Sequence, residues 1–362
     1  MISIDGTECR LIGTEEHYVP SQYVRANRPL VGALWDDLDI EDLAFFLFDE
    51  RGRPWLDPLS DLGEGRVSVM DAAGIDVALL STLAPGVQAL RPGDAAALAR
   101  DLNDELSSIV RDNPRFGGFG LFGPSNPDVA AIEIERCVTS LGLNGVMVYS
   151  HTGGEYLDDP KFWAIFEACE GLSVPLYIHP RNPPTTLRPL LQNHKGEKIL
   201  ASGIWGFALE TSLHAVRLLV SGVFDRFPKL KIVLGHLGEG IPYWLYRLDY
   251  MYERGYRRQG TGAAKRLPSE YFKENFFVTL SGIHGHPDCA ATAEFCAGIV
   301  GPERVMFASD HPFQSAAGAA TTLGTLSLPP DRLRAIAHGN AERIFVNMQR
   351  FATQAGSGGR GS

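Results

Sequence analysis

The sequence predicts an α/β protein folded as a (β/α)8 barrel, and three observations predict it. Strand-like apolar runs alternate with helix-period segments along most of the chain. The runs number eight, which is the count such a barrel needs. Four of them are followed closely by residues able to bind a metal or move a proton. Val174-Pro175-Leu176-Tyr177-Ile178 runs into His179, and Ile232-Val233-Leu234 into Gly235-His236. Val305-Met306-Phe307 leads to Ser309-Asp310, and Leu11-Ile12-Gly13 to Glu15 and His17. Polar side chains at the C-terminal ends of separate strands are the pattern of a barrel with a site at its mouth.

The elements follow in order. The first strand is read at Cys9–Gly13. Residues 21–62 break the rhythm, with Trp35, Phe45, Phe46, Phe48 and Trp55 among acids and with Pro29, Pro54 and Pro58. This stretch is read as a long loop or lid insertion over the mouth, with a surface elaboration or subunit contact as the alternative. Helix Arg66–Ala73 stops at Gly74, a residue suited to the left-handed position after a helix, and strand Ile75–Leu80 follows. Leu98, Leu102, Leu106, Ile109 and Val110 give Asp94–Asp112 helical periodicity, ending before Pro114.

Phe116–Leu121 and Gly145–Tyr149 are strands, separated by helix Asp128–Leu141. Helix Lys161–Glu170 precedes the strand that ends in His179, and helix Leu209–Val220 precedes strand Lys231–Leu234. Helix Tyr243–Tyr252, strands Phe276–Ser281 and Arg304–Ser309, and closing helix Arg332–Phe345 complete the barrel. Residues 1–350 therefore read as a single catalytic domain and 351–362, rich in glycine and serine, as a flexible tail.

Bulk properties bound the function. The chain has 362 residues, and its net charge of -10 argues against a nucleic-acid partner. The five cysteines fit no zinc-ribbon spacing, and their scattered, odd number suggests reduced thiols in the cytosol. No apolar run approaches a membrane span. The N-terminus has no signal-peptide pattern, so a cytoplasmic protein is expected.

In an extended segment, Glu15 and His17 face one side and can reach one cation. Alone, that motif is more often a capped loop; its place after a strand, matched by three others, raises it. Glu15, His17, His179 and Asp310 together offer mixed nitrogen and oxygen donors, which suits one divalent Zn2+ or Mn2+. His236 sits in the glycine-rich Gly235–Gly240 loop, with Glu239 three residues on to orient it. Arg181 and Arg247 are candidate clamps for a substrate carboxylate, since a guanidinium grips a carboxylate through two bonds. No dinucleotide fingerprint or phosphate loop is present, so no organic cofactor is expected.

Taken together, Glu15-Glu16-His17, His179-Pro180-Arg181-Asn182-Pro183, Gly235-His236-Leu237-Gly238-Glu239-Gly240 and Ser309-Asp310-His311-Pro312-Phe313 resemble the amidohydrolase superfamily. They are similar in particular to its non-oxidative decarboxylase branch, which includes γ-resorcylate, 2,3-dihydroxybenzoate, 5-carboxyvanillate and aminocarboxymuconate semialdehyde decarboxylases. The resemblance runs from about Leu11 to Phe345 with the motifs in family order. It implies a distorted barrel of the amidohydrolase type and one divalent metal held by Glu15, His17, His179 and Asp310. His236 and Glu239 would be a supporting, catalytic pair beside Asp310.

A carboxylate at the first ligand position, where hydrolase relatives often have histidine, favours the decarboxylase side. His311 departs from the aromatic residue often found there and, with Phe313, is expected at the substrate. The implied reaction is decarboxylation of an ortho-hydroxylated aromatic acid, with Trp35 or Phe313 against the ring. Asp310 would protonate the ring carbon bearing the carboxylate. The implied assembly is a homodimer or homotetramer. The rivals are a metal-dependent lactone or amide hydrolase, and a metal-binding scaffold without turnover.

Overall fold

A computed structural model describes residues 2–33, 37–187, 190 and 200–352. An antiparallel hairpin, β1 (Ile2–Ile4) and β2 (Thr7–Cys9), precedes the barrel. Eight parallel strands follow in sequential order: β3 (Ile12–His17), β4 (Val77–Ser81), β5 (Phe116–Leu121), β6 (Gly145–Tyr149), β7 (Leu176–His179), β8 (Ile232–Leu234), β9 (Phe276–Thr279) and β10 (Val305–Met306). Between β10 and β3 the ring is joined by three backbone bonds. Thr14 N donates to Phe307 O at 3.0 Å, Asp310 N to Glu15 O at 3.0 Å, and His17 N to His311 O at 2.9 Å. The Glu16 carboxylate adds a staple, accepting from Ser309 N at 3.0 Å and Ser309 Oγ at 2.6 Å.

Side-chain alternation builds two cores from the same strands. Val77, Leu79, Phe119, Met147, Tyr177, Val233, Phe277 and Met306 fill the barrel interior. Ala78, Leu80, Val146, Val148, Leu176, Ile178, Leu234 and Val278 face the surrounding helices. Phe345 plugs the base, its ring 5.2 Å from Phe119. Phe351 is also buried there, so packed chain continues past 350; the glycine-rich 356–362 stretch lies outside the described residues.

Among its described residues the 21–62 stretch is built of helices in place of a long loop. It forms α1 (Ser21–Asn27), α2 (Leu38–Phe48) and α3 (Arg53–Ser60), with short 3-10 turns between them. Asp37 caps α2 by accepting from Asp39 N and Ile40 N. Pro29 and Pro54 stand in first turns, where a missing N–H costs nothing. α4 (Glu64–Ala73) ends at Gly74 with φ of 72°. α5 (Pro92–Asp112), α6 (Pro127–Thr139), α7 (Trp163–Gly171) and α8 (Gly206–Ser221) lead from one strand to the next. They are followed by α9 (Ile241–Tyr252), α10 (Pro268–Asn275), α11 (Cys289–Val300) and α12 (Ala316–Thr325).

Two readings of the ends are corrected. β3 begins at Ile12 rather than Cys9 and carries Glu15 and His17 within it. The closing helix is broken into Pro330–Arg334, a wide turn at Ala335–Gly339, and Asn340–Ile344.

Candidate metal centre and active site

The centre is built from strand ends. β3 carries one residue more than β4 between Gly13 and Glu16, and such a bulge re-aims side chains. Glu15 and His17 turn into the barrel mouth while Glu16 turns to Ser309. His179 ends β7, His236 follows β8 by one glycine, and Asp310 follows β10. His179 Nε2 lies 3.3 Å from Glu15 Oε1, and His17 Nε2 lies 3.3 Å from Asp310 Oδ1. His236 Nε2 is 3.9 Å from both Glu15 Oε1 and Asp310 Oδ2. Glu15, His17 and His179 have donor atoms all within 4.8 Å of one another, as do Glu15, His236 and Asp310.

The partners of these groups show which atoms are left for a ligand. Glu15 Oε2 accepts from the hydroxyls of Tyr177, Thr279 and Ser281, whereas buried Oε1 has no hydrogen-bond partner. A buried carboxylate oxygen without a hydrogen-bond partner, beside two imidazole nitrogens, suits a metal ligand. Each imidazole is oriented through its far nitrogen. His17 Nδ1 meets Thr82 O at 3.3 Å, His179 Nδ1 meets Pro180 O at 2.7 Å, and His236 Nδ1 meets Glu239 Oε1 at 2.7 Å. Such bonds fix each ring and turn its Nε2 toward the centre, where that nitrogen can donate to a carboxylate or, once deprotonated, serve a metal. The donor set of carboxylates and imidazoles fits a divalent metal.

Burial alone would raise the carboxyl of Glu15. The imidazoles of His236, His179 and His17 outweigh it and hold Glu15 well below the usual carboxylate range. Asp310 is likewise held low against its burial by hydrogen bonds from His17 and His236.

Glycine lets the strand ends crowd together. A side chain at Gly235 would stand 3.0 Å from Glu15 Oε2, and one at Gly282 would overlap the His236 ring at 2.1 Å. His236, Leu237 and Glu239 adopt left-handed φ of 52°, 55° and 55°, conformations that non-glycine residues take at a cost.

Above the centre lies a cavity of about 850 Å3, ample for a small aromatic ligand. Asp39, Asp42, Leu43 and Phe46 of α2 form one wall, at the spacing of a single helix face. Phe313 stands with its ring 5.5 Å from both His17 and Phe46. Trp205, Tyr243 and Trp244 line the outer side.

The expected metal ligands, His236, Glu239 and Phe313 are thus brought together. Three expected substrate contacts are not. Arg181 is buried in an ion pair, donating from Nε and an Nη to Asp39 Oδ2 at 2.8 and 2.5 Å and from its other Nη to His151 O at 2.9 Å. It anchors α2 to the end of β7 instead of facing the cavity. Arg247 lies exposed on α9 and is not among the described lining residues. His311 also lies outside the described lining; its carbonyl serves the barrel closure, while burial and the charge of Arg66 press its imidazole down to about 4. Trp35 lies outside the described residues. Sequence reasoning missed Tyr177, Thr279 and Ser281 around Glu15. Their only signal was a hydroxyl recurring at alternate, inward positions of a strand.

A parallel eight-stranded barrel with this constellation at the C-terminal ends of its strands defines a metal-dependent barrel enzyme. The amidohydrolase family model matches residues 17–346, and the chain belongs to that family. It is 36% identical over 347 residues to a γ-resorcylate decarboxylase of Rhodococcus jostii, covering 92% of this chain and 98% of that one. The structure of 5-carboxyvanillate decarboxylase from Sphingomonas paucimobilis matches with a TM-score of 0.87 at 42% identity, over 93% and 99% of the two chains. A dihydroxybenzoic acid decarboxylase from Polaromonas, solved with manganese and the inhibitor 2-nitroresorcinol, matches with a TM-score of 0.81 at 32% identity. That match covers 93% of this chain and 97% of the other.

Proposed function

We propose that this chain is a metal-dependent carboxy-lyase that decarboxylates an ortho-hydroxylated aromatic acid of the hydroxybenzoate type without an organic cofactor. The observation that carries the reading is the convergence of Glu15 Oε1, His17, His179 and Asp310 on the floor of an aromatic-walled cavity. The hydrolase alternative draws no comparable support, since the full-length relatives described above are decarboxylases. These four residues would hold the metal. When bound, it supplies Lewis-acid stabilisation to a phenol and carboxylate that bind it together. Manganese is the favoured ion, on the strength of the Polaromonas relative.

Phe313 and Phe46 hold the ring, and the apolar wall excludes water. Asp310 delivers a proton to the ring carbon that bears the carboxylate. A C–H bond forms there and aromaticity is lost; the C–C bond to the carboxylate then breaks, its electron pair returns to the ring, and CO2 leaves. Since His17 and His236 hold Asp310 ionised in the free site, the proton must reach it after substrate enters. His236, 3.9 Å from Asp310 Oδ2 and fixed by Glu239, is placed to pass it.

The test is ultraviolet turnover with CO2 trapping on manganese-loaded protein, using 2,6-dihydroxybenzoate, 2,3-dihydroxybenzoate, salicylate and 5-carboxyvanillate. Chelator-sensitive CO2 release is expected. Asp310→Asn should lower kcat by about 10²–10⁴, the range of a lost general acid, more steeply than it lowers metal content. Lactone cleavage in place of CO2 release would overturn the reading.

We also infer a homo-oligomer. Support comes from α9, which exposes Tyr243, Trp244, Tyr246, Tyr250 and Met251, with Phe295 of α11 beside Tyr243. A cluster of exposed aromatic side chains of this kind suits a protein–protein contact. A cytoplasmic setting fits the five free thiols, four of them buried. Among the described residues no helix is long and apolar enough to cross a membrane.

A further inference from the structure

We propose that Gln314 is a specificity-determining residue, whose amide N–H donates to a neutral oxygen substituent of the substrate ring outside the metal-binding phenol–carboxylate pair. This rests on the decarboxylase reading above and narrows its substrate class to rings bearing a further hydroxyl or methoxy group.

The orientation of the Gln314 amide follows from its partner. The backbone N–H of His284 can only donate, and it meets Gln314 Oε1 at 3.0 Å. His284 is itself fixed, its Nε2 lying 3.0 Å from Ala308 O. The Gln314 nitrogen must therefore point away from His284, and it meets no acceptor among the described residues. The backbone ties the same residue to the reacting centre, since Gln314 N donates to Asp310 O at 3.1 Å. Gln314 lines the cavity directly after Phe313.

Two other neutral polar side chains of the lining, Asn182 and Ser212, spend their donors within the protein. Asn182 Nδ2 lies between Asp39 Oδ1 at 3.1 Å and Asp42 Oδ2 at 2.7 Å. Ser212 Oγ donates to Leu209 O at 3.2 Å. Gln314 thus brings an uncommitted neutral donor to a wall otherwise formed by Phe313, Ile283 and Gly282. Its complement is an acceptor oxygen. Among the described lining residues none is lysine or arginine, while Asp39 and Asp42 are both present, so a neutral oxygen fits better than a second carboxylate. A site built to donate discriminates because a ligand lacking the acceptor leaves the donor unpaired.

The experiment is a spectroscopic titration of manganese-loaded protein with 2-nitrophenol and 2-nitroresorcinol, coloured and unreactive analogues that differ by one ring hydroxyl. Wild type is expected to prefer 2-nitroresorcinol by about three- to tenfold beyond the statistical factor of its symmetry, the value of one neutral hydrogen bond. In Gln314→Leu, and in Gln314→Glu where an acceptor replaces the donor, that preference should disappear while metal content and melting temperature hold. A preference that survives both substitutions, or is missing from wild type, overturns the role of Gln314. If CO2 release still occurs, the decarboxylase reading stands without it. Failure of wild type to bind either compound overturns the metal-chelate reading and this inference with it.

Discussion

Glu15 shows how one side chain serves two masters. Its outer oxygen is saturated by three hydroxyls and its inner oxygen by none, so the carboxylate is aimed before any ligand arrives. The sequence made Glu15 legible through its spacing to His17. It could not reveal Tyr177, Thr279 and Ser281, because an inward hydroxyl on a strand looks like any half-buried polar position until the barrel closes.

Two further buried histidines govern acid stability at this scale. Burial, aided by the nearby His151 and Arg217, depresses the His214 imidazole to about 3, and burial with Arg181 does the same to His151. Both are neutral in the folded protein. Below about pH 6.5 the unfolded chain takes up protons that the folded one refuses. Their contribution is therefore full above pH 6.5 and drains as pH falls toward 3, by at most about 1.4 kcal/mol per unit for each histidine. In denaturant titrations between pH 7 and pH 5, wild type should lose stability faster than His214→Gln by about one proton's worth. Equal slopes would count against this account.

At the scale of elements, α2 matters most. One face lines the cavity, while Asp39 on that face takes two bonds from Arg181 and two from Asn182. The network reaches farther: Asn182 O meets His151 Nε2 at 3.1 Å, and Gln88 donates to Tyr149 O, His151 O and Thr152 Oγ1. Loops after β4, β6 and β7 are thereby locked to the inserted helix. Arg181→Met strands the buried Asp39 charge and should cost about 3–5 kcal/mol in denaturant unfolding; pairing it with Asp39→Leu should recover much of that. A single variant within about 1 kcal/mol of wild type would refute the coupling. Of the two readings of 21–62, the long loop treats its prolines as breakers, whereas helices that line the cavity agree with an insertion at the mouth. Pro29 and Pro54 in fact begin helical turns, and only Pro58 lies inside a helix. Arg181 misled in the opposite way, since nothing local announces that an acid 142 positions away will claim it.

For the molecule as a whole, the barrel was legible because alternation and strand-end chemistry repeat, and repetition averages out errors at single boundaries. The exposed α9 aromatics leave no such periodic trace in the sequence and form one surface only once the fold gathers them. If that face joins copies, wild type should sediment as a dimer or larger, and Tyr246→Glu with Trp244→Glu should shift it to monomer. An unchanged sedimentation coefficient would place the contact elsewhere.

The seam between β3 and β10 carries a consequence of its own. Three backbone bonds close the ring there, and their partners include Glu15, His17, Asp310 and His311. The first and last strands, some 300 residues apart in synthesis, must meet before the ligands exist as a set. A chain that stops short of β10 carries Glu15, His17 and His179 but lacks Asp310 and the closed seam. The last of the four donors is thus placed by the last strand, and insertions elsewhere can reshape the cavity without touching the seam that places it.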